Sequence, residues 1–165
     1  MEKKSEPLDA IDKAILTQLQ QDAALTNKEI AGHLGMSTTA VYERIKRLER
    51  EGYIERYAAL VSRRRVGLSL LVFCDVALKE HNREFLMRFE QRVGQLPEVL
   101  ECYHVTGEYD YVLKVVAADM DAYQHFIKEK LATLENIGRV QSHFVMTEVK
   151  NSTALPLEPF ASPAL

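Results

Sequence analysis

The chain has 165 residues, 47% of them hydrophobic and 27% charged, with a formal net charge of −3 at pH 7. That balance excludes wholesale disorder, and the length allows one ordinary domain or two small ones. The longest apolar run, Leu70 to Cys74, is strand-sized; the opening MEKKSEPLDA lacks the apolar core of a secretory signal; and two cysteines are too few for a disulfide framework.

In the first third, Ile11, Ile15 and Leu19 recur every four residues with Leu8 and Leu16 beside them, which predicts an amphipathic helix over Asp9 to Gln21. Thr26-Asn27-Lys28-Glu29 has the T-x-x-E form of a capping box, so a second helix starts there and ends at Gly35. The short turn Gly35-Met36-Ser37 leads into a third helix over Thr38 to Glu51, with Ser37 as its cap. Two short helices joined by such a turn make a helix-turn-helix. On the third helix Val41, Ile45 and Leu48 form one stripe, while Thr39, Tyr42, Glu43, Lys46 and Arg50 lie opposite. That outer face carries the groups that read base edges and phosphates. After Gly52, Tyr53 to Val61 reads as strand, completing a short β-ribbon, and Arg63-Arg64-Arg65 marks a hinge.

Charge follows this division. Residues 1–65 sum to +2 and residues 66–165 to −5, while Ser37 to Arg65 alone reaches +4. A phosphate backbone responds to the local patch, because salt screens beyond about 10 Å. Negative net charge therefore does not exclude a nucleic-acid partner.

The second part is patterned differently. Leu68 to Leu78 is β-rich, Asn82 to Gln95 has Phe85, Phe89 and Val93 at helical spacing, and Val99 to Thr106 is strand-like. Gly107-Glu108-Tyr109-Asp110 is a turn, and Tyr111 to Val116 returns as strand. Asp119 caps a helix from Met120 to about Leu134, Gly138 breaks it, and Val140 to Val149 is the last strand. The order βαββαβ folds as a four-stranded antiparallel sheet with two helices on one face, an α+β ferredoxin-like arrangement. The first strand offers Leu70, Val72, Cys74 and Val76 on one side and Leu71, Phe73, Asp75 and Ala77 on the other. An apolar face left uncovered by helices predicts a dimer. The tail after Lys150, with Pro156, Pro159 and Pro163, reads as an extended or disordered arm.

Other chemistry is weak. His33, His81, His104, His125 and His143 show no metal-ligand spacing with Cys74 or Cys102, and neither a phosphate-binding glycine loop nor a nucleophile elbow is present. We therefore expect no metal, no cofactor and no enzyme activity, and a cytoplasmic protein with no membrane partner.

The stretches LDAIDKAILTQLQQDAALTNKEIAGHLGMS, TTAVYERIKRLEREGYIERYAALV, VTGEYDYVLKVVAADMDAY and SHFVMTEVK together resemble the Lrp/AsnC, or feast/famine, family of transcription regulators over about residues 8–150. The resemblance implies an N-terminal winged helix-turn-helix over residues 1–62, a hinge at 63–68, a ferredoxin-like (RAM-type) effector-binding and oligomerisation domain over 69–150 and a tail at 151–165. It also implies double-stranded DNA as partner, a free amino acid as effector, and homodimers assembling into octamers.

DNA contact is then expected from Ser37, Thr38, Thr39, Tyr42, Glu43 and Lys46 near the bases and from Arg47, Arg50 and Arg56 near phosphates. The family's ligand site maps onto Val105, Thr106, Gly107, Tyr109 and Asp110, with Arg139 and Ser142 from the approach to the last strand. A physical case supports the turn: Gly107 lets a ligand approach backbone N–H groups suited to a carboxylate, and Asp110 offers a partner to an ammonium. Two alternatives stand beside this reading. Sirohaem decarboxylases resemble the chain in both domains, but an anionic tetrapyrrole needs basic groups where this chain carries −5. An assembly module that has lost DNA binding fits poorly with the positive charge retained from Arg44 to Arg65.

Overall fold

Asp9 opens the first helix with a reciprocal cap: its carboxylate accepts the Asp12 N–H at 2.7 Å while Asp12 accepts the Asp9 N–H at 3.0 Å. The structure, a computed structural model, describes residues 7–158. Three helices follow one another closely, α1 (Ala10–Gln21), α2 (Asn27–Leu34) and α3 (Thr38–Arg50). The Thr26/Glu29 capping box forms as the sequence requires. Gly35 ends α2 at φ 64°, a left-handed conformation that costs glycine nothing, and the Ser37 hydroxyl caps α3 by accepting from the Ala40 N–H at 3.2 Å. Ile15, Leu16, Ile30, Ala31, Val41, Ile45 and Leu48 close into one buried cluster. The helix-turn-helix is thus held by a small core shared among all three helices.

The expected strand over Tyr53 to Val61 does not form a ladder among the described residues. Tyr53 and Ile54 instead pack on the helical core, and the Ile54 N–H bonds back to the Leu48 carbonyl at 3.2 Å. From Glu55 to Ser62 the chain is exposed, tied to α3 where the Tyr57 hydroxyl donates to Glu49 at 3.0 Å. Alternating side chains mark extended backbone, but a strand also needs a partner edge. Residues 62–68 make a compact turn, with Arg65 and Val66 N–H on the Ser62 carbonyl and Gly67 at φ 83°.

Four antiparallel strands build the second unit, which spans Val61–Val149. They are β1 (Leu70–Leu78), β2 (Val99–His104), β3 (Tyr111–Ala117) and β4 (Ile137–Phe144), in the order β2-β3-β1-β4. Helix α4 (Arg83–Val93), capped by Asn82, and helix α5 (Met120–His125), capped by Asp119, complete the βαββαβ order. Val72, Cys74, Val76 and Leu78 from β1 meet Leu113, Val115, Phe89, Val93, Phe126 and Leu131 in the core.

The chain after Met120 departs most from expectation. The last helix turns π-helical over Phe126–Leu131 and stops there, short of Leu134. Gly138 breaks no helix; it lies in β4 beside the irregularity at Ala77/Leu78, where a Cβ would stand 3.1 Å from the Ala77 carbonyl oxygen. Strand β4 occupies Ile137–Phe144 rather than Val140–Val149 because Asn136, at φ 68°, clamps Glu80 with its side-chain amide and accepts the Lys79 N–H on its carbonyl. That clamp starts the pairing early; it ends once the Val145 N–H has reached the Leu71 carbonyl.

The sheet face away from the helices carries Phe73, 37% exposed, and Tyr103, 54% exposed, between the His143–Asp75 contact and the Lys114–Glu101 ion pair. It is apolar in patches rather than throughout. No helix of the described residues is long and apolar enough to cross a membrane.

Candidate nucleic-acid interface and ligand turn

Helix α3 presents Thr38, Thr39, Tyr42, Glu43, Lys46 and Arg50 to solvent, as its periodicity requires. Ser37 lies at the same end, but its hydroxyl is committed to the helix cap. Lys46 is not a loose cation. Its ammonium sits 2.6 Å from Glu49 and 5.9 Å from the centre of the Tyr42 ring, and the Glu49 hydrogen bond raises its pKa. Glu49, held low by Lys46, also accepts from Tyr57, whose phenol burial and Glu49 together push up to about 12. The middle of the outer face is therefore an ordered polar lattice.

Arg47 corrects the expectation that it reaches phosphate. It turns inward and pairs with Asp12, which is fully buried, while Arg44 reaches the same carboxylate at 2.7 Å and Asp9 at 2.7 Å. Burial works to raise the Asp12 pKa, but the hydrogen bonds from Arg47, the Asp9 N–H and Arg44 outweigh it and hold the group at about 2. The side chain of Arg63 is likewise taken, by the Leu68 and Ser69 carbonyls and by Glu148.

Four of the eight basic groups in Ser37 to Arg65 are thus matched by carboxylates. Arg50, Arg56, Arg64 and Arg65 stay exposed with no partner among the described residues. Replacing Arg50 by alanine is expected to weaken every DNA sequence alike and to lower the slope of log affinity against log salt by about 0.9, the effect of one lost phosphate contact. Titrations of binding across salt concentrations check this; an unchanged slope places Arg50 off the backbone.

The second candidate site is the β2–β3 turn. The Val105 N–H donates to the Asp110 carbonyl at 2.8 Å and closes it, with Gly107 at φ 130° and open space where a Cβ would point. Between those ends the amides of Thr106, Gly107, Glu108 and Tyr109 have no hydrogen-bond partner among the described residues. Asp110 has work already: its carboxylate accepts the Leu78 N–H at 2.7 Å and meets His81 at 3.0 Å. Strand β4 reaches this turn through Arg139, which pairs with Glu108 at 2.8 Å and lies 5.0 Å from the centre of the Tyr109 ring. Gln141 joins them, accepting from both the Tyr109 hydroxyl and Arg139.

Ser142 does not join this group. It pairs with Cys74 in the sheet and takes a hydrogen bond from the Tyr123 hydroxyl at 2.6 Å, on the helix-covered face. There burial raises the Cys74 thiol and the Tyr123 phenol. Neighbours along a strand face opposite ways, so the residue that belongs at the turn is Gln141, one position earlier. His81 and Gln141 are two further side chains beside this turn that the expectation from sequence did not include; strand parity is the signal for the second. Among the described residues no group of histidines, cysteines and carboxylates could hold a metal.

A helix-turn-helix with an exposed polar recognition helix, joined to a ferredoxin-like unit with an open turn, defines a DNA-binding regulator with a ligand domain. The family comparisons agree: residues 8–55 match a winged helix-turn-helix DNA-binding model and residues 71–155 match the Lrp/AsnC ligand binding domain. The leucine-responsive regulatory proteins of Klebsiella pneumoniae and Escherichia coli are each 38% identical over 151 residues, 92% of this chain and 92% of theirs. Among solved structures, a Neisseria meningitidis transcriptional regulator in complex with L-Met superposes with a TM-score of 0.88 at 37% identity, covering 92% of this chain and 97% of that one. An AsnC family regulator from Agrobacterium tumefaciens gives 0.87 at 39% identity, covering 91% and 97%. This chain belongs to the Lrp/AsnC family of transcription regulators. Its relatives are regulators rather than enzymes, which sets the decarboxylase alternative aside.

Proposed function

We propose that the chain binds double-stranded DNA as a homodimer, assembling further to octamers, and that a free amino acid held at the Val105–Asp110 turn alters that assembly. Site of action is the cytoplasm. Helix α3 enters the major groove with Thr38, Thr39, Tyr42, Glu43 and Lys46 toward base edges, Ser37 at the entry, and Arg50 and Arg56 toward phosphates. The sheet face around Phe73 and Tyr103 is where a second copy packs, since its apolar patches are separated by polar pairs that an interface can retain. Two linked copies then read half-sites on one face of the duplex.

The observation that carries the effector reading is the turn's run of unpartnered amides beside an open Gly107. Such amides suit the carboxylate of a zwitterion, while the lone pairs that Asp110 has left, beside Glu108, suit its ammonium. The L-Met complex of the Neisseria meningitidis relative favours the same chemical class. Because the turn belongs to the second unit and α3 to the first, a ligand acts on DNA only by favouring one assembly over another.

A thermal-shift and sedimentation screen of the free amino acids at millimolar concentration tests this. One or a few zwitterions are expected to raise the melting temperature and change the assembly size. Gly107→Arg is expected to abolish the response, because it forces a side chain into a left-handed backbone and fills the open space. A response that survives Gly107→Arg, or a preference for plain anions, places the ligand elsewhere.

A further inference from the structure

The chain does not finish at the sheet. Beyond Val149 it returns to the N-terminal unit, and three contacts on α1 hold it there. The Gln20 side-chain amide grips one backbone residue from both sides: its Nε2 donates to the Leu155 carbonyl at 3.2 Å and its Oε1 accepts the Leu155 N–H at 2.6 Å. A neighbouring β-strand would offer a peptide the same donor and acceptor pair. Two residues on, Leu157 is half-buried against the core cluster shared by the three helices. Lys13 lies 3.7 Å from Glu158, two helical turns back from Gln20 on the same side of α1.

The origin of this segment is also secured. Arg63, at the start of the sheet unit, pairs with Glu148, just before its end. The chain therefore passes between the two units twice, after Leu60 and after Val149, and Arg63 ties those two passages together at one base.

We infer that residues 150–158 are a second tether, docked on α1, that restricts the DNA-binding unit and thereby raises DNA affinity. The inference rests on the DNA-binding role above. With one linker a unit samples many placements and must lose that freedom on binding; a second, docked linker removes part of it in advance. Charge cannot account for the effect. Residues 150–158 carry one base, Lys150, and one acid, Glu158, and sum to zero, so releasing the tail removes no net positive charge from the DNA-binding unit.

The full-length variants Leu157→Asp and Gln20→Ala test the tether through two readouts, hydrogen exchange along α1 and DNA affinity across salt concentrations. Each variant is expected to speed exchange on α1 and to lower affinity by about tenfold, with the salt slope unchanged. A synthetic peptide of residues 150–165 added to the Leu157→Asp protein is expected to restore protection on α1 without restoring affinity, because it fills the groove but links nothing. Added to Gln20→Ala it restores neither. The inference is overturned if α1 exchange is unaltered, if either variant binds DNA as tightly as the parent, or if affinity falls together with the salt slope. A parent protein that binds no DNA strikes instead at the role on which the tether rests.

Discussion

Asp12→Ala is expected to destabilise the N-terminal unit by about 3–5 kcal/mol, the cost of removing one partner from a buried ion pair. Asp12 is fully buried, and its two oxygens hold Arg44, Arg47 and the Asp9 N–H. Truncation leaves two guanidiniums facing each other over an empty site and deletes half of the α1 cap. For a unit of this size, total stability at about 0.05–0.15 kcal/mol per residue is of the same magnitude, so α1 to α3 are expected to lose cooperative melting. Asp12→Asn keeps the shape and one acceptor and is expected to lose less.

Acid titration separates the charge from the packing. The folded carboxylate titrates at about 2, below its ordinary value of 3.8, so it contributes stability above that ordinary value. The contribution fades as pH falls from about 4 through 2 and amounts to about 2 kcal/mol at 1.36 kcal/mol per pH unit. Glu49, Glu98 and Glu101 are also held low, each with a lysine partner, so the parent softens in acid for several reasons. The difference between parent and Asp12→Asn isolates Asp12. Thermal melts followed by far-UV circular dichroism, the natural probe for a chain without tryptophan, measure it. A constant difference from pH 6 to pH 2 would show that Asp12 stabilises by shape alone.

The triple change Thr39→Ala, Tyr42→Ala and Lys46→Ala is expected to abolish specific DNA recognition while sparing the fold. A good base contact is worth about 1–3 kcal/mol, so three together approach the whole gap, about 4–10 kcal/mol, between specific and non-specific binding. All three side chains are exposed and none belongs to the helical core. Glu49 loses Lys46 but keeps Tyr57, so the end of α3 remains tied. Footprinting on a fragment selected by the parent protein is expected to lose the bounded footprint and retain weak, salt-sensitive coverage from Arg50 and Arg56. An intact footprint at moderate salt would mean that another surface reads the DNA.

Much of this architecture follows from short-range rules. Caps at Asp9, Thr26 and Ser37 need only the residues three positions on, and the stripe Val41, Ile45, Leu48 needs only the helical repeat. The βαββαβ order and the face division of β1 follow from alternation in the same way, and the family resemblance supplied the ligand domain. Local order in sequence was enough to specify the two-unit outline, and the resemblance supplied the class of molecule.

Tertiary structure alone decided where the long side chains end. Arg47 and Arg50 are three apart on one helix, yet one closes on Asp12, 35 positions earlier, and the other stays in solvent. A guanidinium has the reach to choose either, and a count of charges does not reveal which are already matched. Ser142 and Gln141 lie on opposite faces of β4 because a strand's faces swap with every residue, so only the paired sheet shows which of the two sits beside the Glu108–Tyr109 turn. The tail is the extreme case: nothing local in NSTALPLEPFASPAL marks Leu155 and Leu157 as contacts of α1. Their binding partners, Gln20 and the core beneath it, exist as a surface only after three helices have packed.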